Sequence, residues 1–384
     1  MKQLKYKNIC AVSGSRADYG ILSDLFKKIK KNKNFKLKLI ITGSHLSTKY
    51  GNTINEIKKD NISIFKKIKI LSKKNTKYNL IKSSSKAISE YGNAFKRLLP
   101  DALIILGDRY EIFCAAYAAV IYRIPVIHFH GGELTLNSYD DYFRHAITKL
   151  SNIHFVSTSI YRDRLIKMGE MPNRVFNVGS IGLENIKKTS FLKKEEIEKR
   201  LKFKLKKRIV LFSLHPETLN LANTQKQIKI TLSVLEKLKN TSVIITMPND
   251  DLNSDKIINS LKTFARQNNN VHYFKSLGRF VYLSCMKISD FVIGNSSSGI
   301  IEAPSLNKYS IDLGKRQSGR EKAFSVYSCD FNKKKINLLI KKIYKKKNIK
   351  IKNPYFKKNS INKVISTLKK VNFKLINNKK FYEK

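Results

Sequence analysis

The chain has 384 residues and carries 77 Lys and Arg against 28 Asp and Glu, a formal charge of +49, with 42% hydrophobic residues. At roughly 150 residues per domain this length suits about two domains, and the apolar share is enough for buried cores, which excludes disorder as the main state. No apolar run approaches the ~18 to 20 residues needed to cross a bilayer, and Met1 to Lys7 leads into a short apolar strand without a signal-peptide core, so a soluble cytoplasmic protein with no membrane partner is expected.

Cys10, Cys114, Cys285 and Cys329 lie far apart and form no CxxC pair. They read as small core residues in a reducing compartment, not as a disulfide framework or a zinc site. The basic residues comprise 63 Lys and 14 Arg, unevenly placed: Phe331 to Lys384 holds 19 Lys and one acid, whereas Asp101 to Ile160 holds four basic residues and six acids. The excess is a solvated skin and a tail. Arg and aromatics are not interleaved with the Lys as a nucleic-acid groove requires, so no specific nucleic-acid partner is expected.

Apolar runs of strand length alternate with amphipathic helical stretches along the chain. Asn8 to Ser13 predicts a strand, Tyr19 to Lys31 a helix and Leu37 to Thr42 a second strand. Ala102 to Leu106 and Pro125 to Phe129 are aliphatic runs of the kind buried in parallel sheets, with a helix from Tyr110 to Tyr122 between them. After a change of register at Gly179 to Gly182 comes a highly charged helical linker or peripheral helix, Lys187 to Lys207. The alternation then resumes: strand Ile209 to Leu214, helix Thr224 to Leu238, strand Val243 to Met247, helix Asp255 to Gln267, and strands Phe291 to Ile293 and Tyr309 to Leu313. Two doubly wound α/β halves joined near residue 180 place a ligand cleft between them, at the carboxyl ends of the strands.

Chemistry-bearing residues do cluster just after strands. Ser13-Gly-Ser-Arg16-Ala-Asp-Tyr-Gly20 opens a helix, so it offers backbone N–H groups, a positive dipole end and the Arg16 cation to an anion. Asp108 follows a wholly apolar strand, where a desolvated acid needs a partner or a task; Arg109 is the adjacent candidate partner. His128-Phe-His130-Gly-Gly-Glu133, followed by Asp140, Asp141, Arg144 and His145, gathers imidazoles and carboxylates whose spacing fits proton transfer better than a metal site. In the second half, His215 ends a strand, and Gly294-Asn-Ser296-Ser297-Ser298-Gly-Ile-Ile-Glu302 makes a hydroxyl-rich cradle for a diphosphate, with Glu302 placed to accept ribose hydroxyls. Arg316 and Arg320 follow the last strand. Five of the 14 Arg (16, 109, 144, 316 and 320) thus sit in strand-end loops, where a planar fork suits phosphate and carboxylate.

Taken together, Gly14-Ser-Arg-Ala-Asp-Tyr-Gly20, Gly107-Asp-Arg109, His128-x-His-Gly-Gly-Glu133, Asp140-Asp-x-x-Arg-His145, His215-Pro, Gly294-Asn-Ser-Ser-Ser-Gly-Ile-x-Glu302 and Arg316-Gln-x-Gly-Arg320 resemble the hydrolysing UDP-N-acetylglucosamine 2-epimerases of sialic-acid and legionaminic-acid synthesis. The resemblance spans about residues 8 to 325 in the right order. It implies a GT-B fold of two Rossmann-like domains, a UDP-sugar substrate, a homo-oligomer, and neither NAD nor an obligatory metal. The implied reaction is elimination of UDP across C1–C2 to a glycal, then hydration to N-acetylmannosamine. Carried over by position, Asp108, His130 or Glu133, and Asp140 or Asp141 are the acid/base groups. Arg16, Arg144, His145, His215, Gly294, Ser296, Ser297, Ser298, Glu302, Arg316 and Arg320 hold the substrate.

His130 stands where the sialic-acid branch often has Glu, and Leu134 to Tyr139 lacks the Gly-Ala-Ile usual before the paired acids. These departures leave open which group transfers protons, the C4 and C6 substituents of the sugar, and UDP against GDP, so a UDP- or GDP-linked 2,4-diacetamido-trideoxyhexose is the alternative substrate. A GT-B glycosyltransferase, and a basic nucleic-acid or anionic-surface binding protein, are the readings from other classes. The expected domains are 1–180, 181–358, and a C-terminal piece 359–384 whose apolar residues, Ile361, Val364, Ile365, Leu368, Val371 and Phe373, recur at helical period and suit a helix crossing back to the first domain. Residues from Asn377 onward are expected to be dispensable.

Overall fold

The structure, a computed structural model, describes residues 6–72, 75–346 and 350–383; most of the Met1 to Lys7 stretch and the terminal Lys384 lie outside the described residues. The chain forms two compact units. Met1–Glu133, Asp140–Glu184 and Tyr355–Lys384 make the first, and Leu134–Tyr139 and Asn185–Pro354 make the second.

In the first unit, strands β1 (Lys7–Ser13), β2 (Phe35–Thr42), β3 (Ile64–Ile68), β4 (Ala102–Leu106), β5 (Val126–Phe129), β6 (Ile153–Val156) and β7 (Val175–Asn177) form one sheet in the order 3-2-1-4-5-6-7. All its pairings are parallel. The crossovers carry helices α1 (Arg16–Lys30), α2 (Ile54–Lys59), α3 (Lys77–Leu98), α4 (Tyr110–Ile121), α5 (Tyr139–Leu150) and α6 (Ser159–Lys167). Alternate strand residues supply opposite cores, as a period of two demands. Ile9, Ala11, Ile104 and Phe129 pack with α1, while Cys10, Val12, Leu103 and Ile105 pack with α3 and α4. The four cysteines are free and buried.

Helix α1 starts at Arg16, three residues before the sequence expectation, because Ser15 caps it: its hydroxyl accepts from the Asp18 N–H while the Asp18 carboxylate accepts from the Ser15 N–H at 2.9 Å. That capping box draws Arg16 out of the loop and into the first turn. Sequence reading also passed over α3 and β3, whose outer faces are rich in Lys, Ser and Asn.

The second unit opens with α7 (Lys194–Leu201), the helical part of the charged stretch predicted from 187 to 207. Strands β8 (Arg208–Ser213), β9 (Thr241–Thr246), β10 (Val271–Phe274), β11 (Phe291–Gly294), β12 (Tyr309–Leu313) and β13 (Val326–Cys329) follow, in the sheet order 10-9-8-11-12-13. This repeats the 3-2-1-4-5-6 order of a doubly wound sheet, again all parallel. Helices α8 (Thr224–Leu235), α9 (Ser254–Gln267), α10 (Gly278–Ile288), α11 (Ser298–Ile301) and α12 (Lys333–Tyr344) flank it.

The chain re-enters the first unit at Tyr355, four residues before the expected boundary, and leaves it at Glu184 instead of residue 180. Local bonds explain both shifts. The Tyr355 carbonyl accepts from the Ser180 N–H, its hydroxyl meets that of Tyr161 at 2.8 Å, and Glu184 accepts from the Ile361 N–H. Helix α13 (Ser360–Lys370) then sinks Ile361, Val364, Ile365 and Leu368 into the core that α1 shares.

The tail beyond Asn377 is not peripheral, and the structure corrects that expectation. Lys379 donates to the carbonyls of Thr148 and Ser151 at the carboxyl end of α5 and pairs with Glu170 at 2.7 Å. Phe381 lies where a side chain on Gly169 would fall. Burial opposes ionisation of Glu170, but the hydrogen bond from His154 and the Lys379 and Lys149 ammoniums outweigh it and hold the carboxyl down to about 2. Among the described residues no helix is long and apolar enough to cross a membrane.

Candidate active site

In a 3-2-1-4 sheet, the loops after the first and fourth strands diverge and leave a crevice at the carboxyl edge. In the first unit these loops are 14–15 and 107–109. Asp108 sits just beyond β4, where five apolar residues are buried and none can answer a charge. Its ion-pair partner is Arg144 on α5, not Arg109. Arg109 instead donates to Glu111 at 2.6 Å, and Glu111, fully buried, lies beneath Gly14. The correction is spatial: Arg109 is the cap residue of α4, whereas α5 brings Arg144 across 36 positions.

Arg144 is 1% exposed and organises a network. It pairs with Asp108, donates to the His130 carbonyl at 3.1 Å and stands 3.8 Å from Glu133 Oε2. Glu133, equally buried, accepts from Ser157 at 2.7 Å and faces His130 Nδ1 at 2.9 Å. The contact with the carboxylate assigns the proton to Nδ1. His130 Nε2 then carries the lone pair, buried and with no hydrogen-bond partner among the described residues. The His130 backbone is left-handed, with φ of +63°, a conformation costing about 1–3 kcal/mol outside glycine and found disproportionately at functional sites. Asp108 keeps 20% of its side chain exposed.

Asp140 and Asp141 occupy the first turn of α5, where the helix dipole favours carboxylates. Asp141 Oδ2 is 3.8 Å from His145 Nε2, yet burial outweighs that charge and lowers the imidazole pKa. Two buried histidines stay neutral. His128 donates from Nε2 to the Gly107 carbonyl and burial pushes it down to about 3; His45 lies between the Ser13 and Thr53 hydroxyls and burial pushes it down to about 4. Sequence reasoning missed His45 and Glu111. The signal for Glu111 was legible, a lone acid in the apolar helix YEIFCAAYAAVI. Among the described residues no group of three His, Cys, Asp or Glu could hold a metal ion.

Asp18 gives a pH signature. Burial raises its carboxyl to about 6, against the lowering effects of Arg109 and of the bonds from Ser15 and Gly14. A folded pKa above the unfolded ~3.9 means that the stabilising proton is held below about pH 4 and lost as pH rises through 6. Asp18→Asn should therefore gain stability relative to the unaltered protein by about 3 kcal/mol between pH 4 and 7. Urea unfolding at both pH values measures this, and a pH-independent difference refutes it.

In the second unit the equivalent loops follow β8 and β11. Gly294 has φ of +135°, and a Cβ there would fall 1.8 Å from the Ser213 carbonyl oxygen, so no side chain fits. Asn295, absent from the predicted set, binds the His215 backbone on both sides: its Oδ1 accepts from the His215 N–H at 2.7 Å and its Nδ2 donates to the His215 carbonyl at 2.8 Å. Arg316 and Gln317 both donate to the Asn295 carbonyl. The Ser298 hydroxyl joins Ser296 at 3.1 Å and Tyr282 at 2.6 Å, while Ser296, Ser297 and Ser298 remain half-buried. Helix α11 spans four residues, so Glu302 caps its end instead of standing within it. Arg320 donates to the Leu134 carbonyl at 3.2 Å.

Thus Arg16, Asp108, His130, Glu133, Asp140, Asp141, Arg144 and His145 lie in the first unit, and His215, Gly294, Ser296, Ser297, Ser298, Glu302, Arg316 and Arg320 in the second. The sequence profile of the UDP-N-acetylglucosamine 2-epimerase family matches residues 27–369. The chain belongs to that family. This epimerase is 42% identical over 381 residues to the GDP/UDP-N,N'-diacetylbacillosamine 2-epimerase (hydrolyzing) of Campylobacter jejuni, covering 98% of this chain and 99% of that one. It is 40% identical over 332 residues to polysialic acid biosynthesis protein P7 of Escherichia coli, covering 86% and 84%. The UDP-GlcNAc 2-epimerase of Neisseria meningitidis, solved bound to UDP-GlcNAc, superposes with a TM-score of 0.78 at 20% identity over 95% of this chain and all of that one. The epimerase accordingly shares the GT-B fold.

Proposed function

We propose that this epimerase is of the hydrolysing kind and takes a nucleoside-diphosphate-linked 2,4-diacetamido-trideoxyhexose, releasing the 2-epimeric free sugar and the nucleoside diphosphate. The relative at 42% identity, aligned nearly end to end, is named for diacetylbacillosamine, and His130 stands where the sialic-acid branch often has Glu. UDP-N-acetylglucosamine, giving N-acetylmannosamine, is the second reading, favoured by the family profile.

The observation that carries the chemistry is the Asp108–Arg144–Glu133–His130 network. Loss of the weakly acidic C2 proton needs a base in contact, and charge growing on the departing diphosphate needs donors. Asp108 and His130 Nε2 are the proton-transfer groups in this reading. Glu133, buried behind His130, orients the imidazole, while Arg144 pairs with Asp108 and stands beside Glu133, fixing where both carboxylates lie. The second unit supplies the hydroxyls, backbone N–H groups and Arg316 for the diphosphate, with His215 fixed by Asn295.

The test is to incubate the enzyme with UDP-N-acetylglucosamine and with UDP- and GDP-linked diacetamido sugars in D₂O and identify the products. One solvent deuterium at C2 of the released sugar is expected, since elimination removes that hydrogen and hydration returns a solvent proton. Product without label at C2 rejects the glycal route, and the substrate turned over fastest decides the sugar and the nucleotide.

A further inference from the structure

Helix α4 carries a single charged residue, Glu111, and buries it completely. A carboxylate stripped of water stays ionised only beside a fixed cation, so an acid in this apolar helix needs a reason. Arg109, itself buried, is that cation: its Nε donates to Glu111 Oε1 at 2.6 Å. The same oxygen supports the other wall of the crevice in the first unit. A Cβ on Gly14 would fall 2.5 Å from it and one on Gly43 3.2 Å, so both glycine backbones close on the carboxylate. Gly14 is held there, its carbonyl accepting from the Ser44 hydroxyl at 3.2 Å and its N–H donating to Asp18 at 3.2 Å.

Asp108 stands between two anchored neighbours. Before it, the Gly107 N–H donates to the Phe129 carbonyl at 3.1 Å and the Gly107 carbonyl accepts from His128 Nε2 at 2.8 Å. After it, the Arg109 carbonyl accepts from the N–H groups of Ile112 and Phe113, both at 3.0 Å, while the Arg109 side chain is tied to Glu111. The Asp108 carboxylate then reaches Arg144. All these residues belong to the first unit. Releasing the guanidinium frees the peptide that joins Asp108 to Arg109, and a shift near 1 Å in a reacting group can cost about 100-fold in rate.

We infer that Glu111 is a positioning residue for Asp108. It clamps Arg109 beneath the Gly14 loop, so the turn from β4 into α4 carries Asp108 at one fixed place, and Glu111 acts on turnover without meeting the substrate. This rests on the proton-transfer reading of Asp108.

The experiment measures kcat, KM for the nucleotide sugar, UDP affinity by calorimetry and melting temperature for Glu111→Gln, Glu111→Asp and the double variant Arg109→Met/Glu111→Leu. It also measures Glu111→Gln in an Asp108→Asn background. Glu111→Gln should lose about 10- to 100-fold in kcat, with KM and UDP affinity within about threefold. Glu111→Asp keeps the charge one methylene short and should recover part of kcat. The double variant strands no buried charge, so it should fold even where Glu111→Gln does not, and its kcat should be equally low. In the Asp108→Asn background Glu111→Gln should change kcat by less than about threefold, because the group it acts through has already been removed. A further tenfold loss there makes Glu111 act independently of Asp108 and overturns the inference, as does lost UDP affinity in Glu111→Gln or wild-type kcat in the double variant. Near-normal turnover in Glu111→Gln beside a slow Asp108→Asn overturns the inference alone. Near-normal turnover in Asp108→Asn overturns the reading beneath it.

Discussion

Ending the chain after Lys358 is expected to unfold the first unit. That truncation strips Ile361, Val364, Ile365, Leu368 and Phe373 from the core they share with α1, each worth about 1.5–3 kcal/mol when fully buried. Their sum is comparable to the whole stability of a domain, about 5–15 kcal/mol. Ending the chain after Ile376 is milder but not silent. It removes Lys379 from Glu170 and Phe381 from Gly169. Because Lys379 keeps part of its side chain in solvent, the cost is about 1–3 kcal/mol, below that of a fully buried pair. Calorimetry should show a melting temperature lower by roughly 3–10 °C. The sign with pH is fixed by Glu170: its depressed pKa contributes stability above about pH 4.5 that is lost as pH falls toward 2, so the two lengths should converge in acid. Equal melting temperatures at pH 7 would contradict the Lys379 contact.

Asp108→Asn should lower turnover by about 10²- to 10⁴-fold, the usual worth of a group engaged in proton transfer. The amide keeps the shape and still accepts from Arg144, so the fold should survive with a stability cost of about 1–3 kcal/mol. UDP affinity should stay within a few-fold, because the diphosphate groups proposed above belong to the second unit. Steady-state kinetics beside calorimetric titration with UDP decide the matter, and near-normal turnover would remove Asp108 from the mechanism.

Much of this was legible in the sequence, for physical reasons. Strand β4 reads as buried because ALIIL has no polar residue, and Asp108 stands out because an acid follows it. Helix α13 is visible through its 3.6-residue period. Strand β3 is hidden because IFKKI carries two lysines and buries only Ile68 fully, leaving Phe65 and Lys67 exposed. Pairing was less legible than position. Arg109 adjoins Asp108 along the chain, but the short turn into α4 commits its side chain to Glu111. The tail misleads through composition: its lysines resemble a solvated skin, and only the fold brings Lys379 to Glu170, 209 positions earlier. Nothing in Leu-Thr-Leu-Asn-Ser-Tyr announces that this stretch belongs to the other unit, because its bonds are to loops about 80 and 185 residues away.

The return of the chain to its first unit at Tyr355 has a consequence for synthesis. The first unit cannot complete its core until α13 and the tail have been made, whereas the second unit is closed by Pro354, its Leu134–Tyr139 segment having been synthesised earlier. At about 5–20 residues per second the ribosome needs on the order of 10–30 s to make the intervening stretch. Throughout that interval α1 has no α13 packed beside it. The nascent chain therefore carries its apolar debt in the half made first, and the second unit, made later, is the one able to finish folding before release.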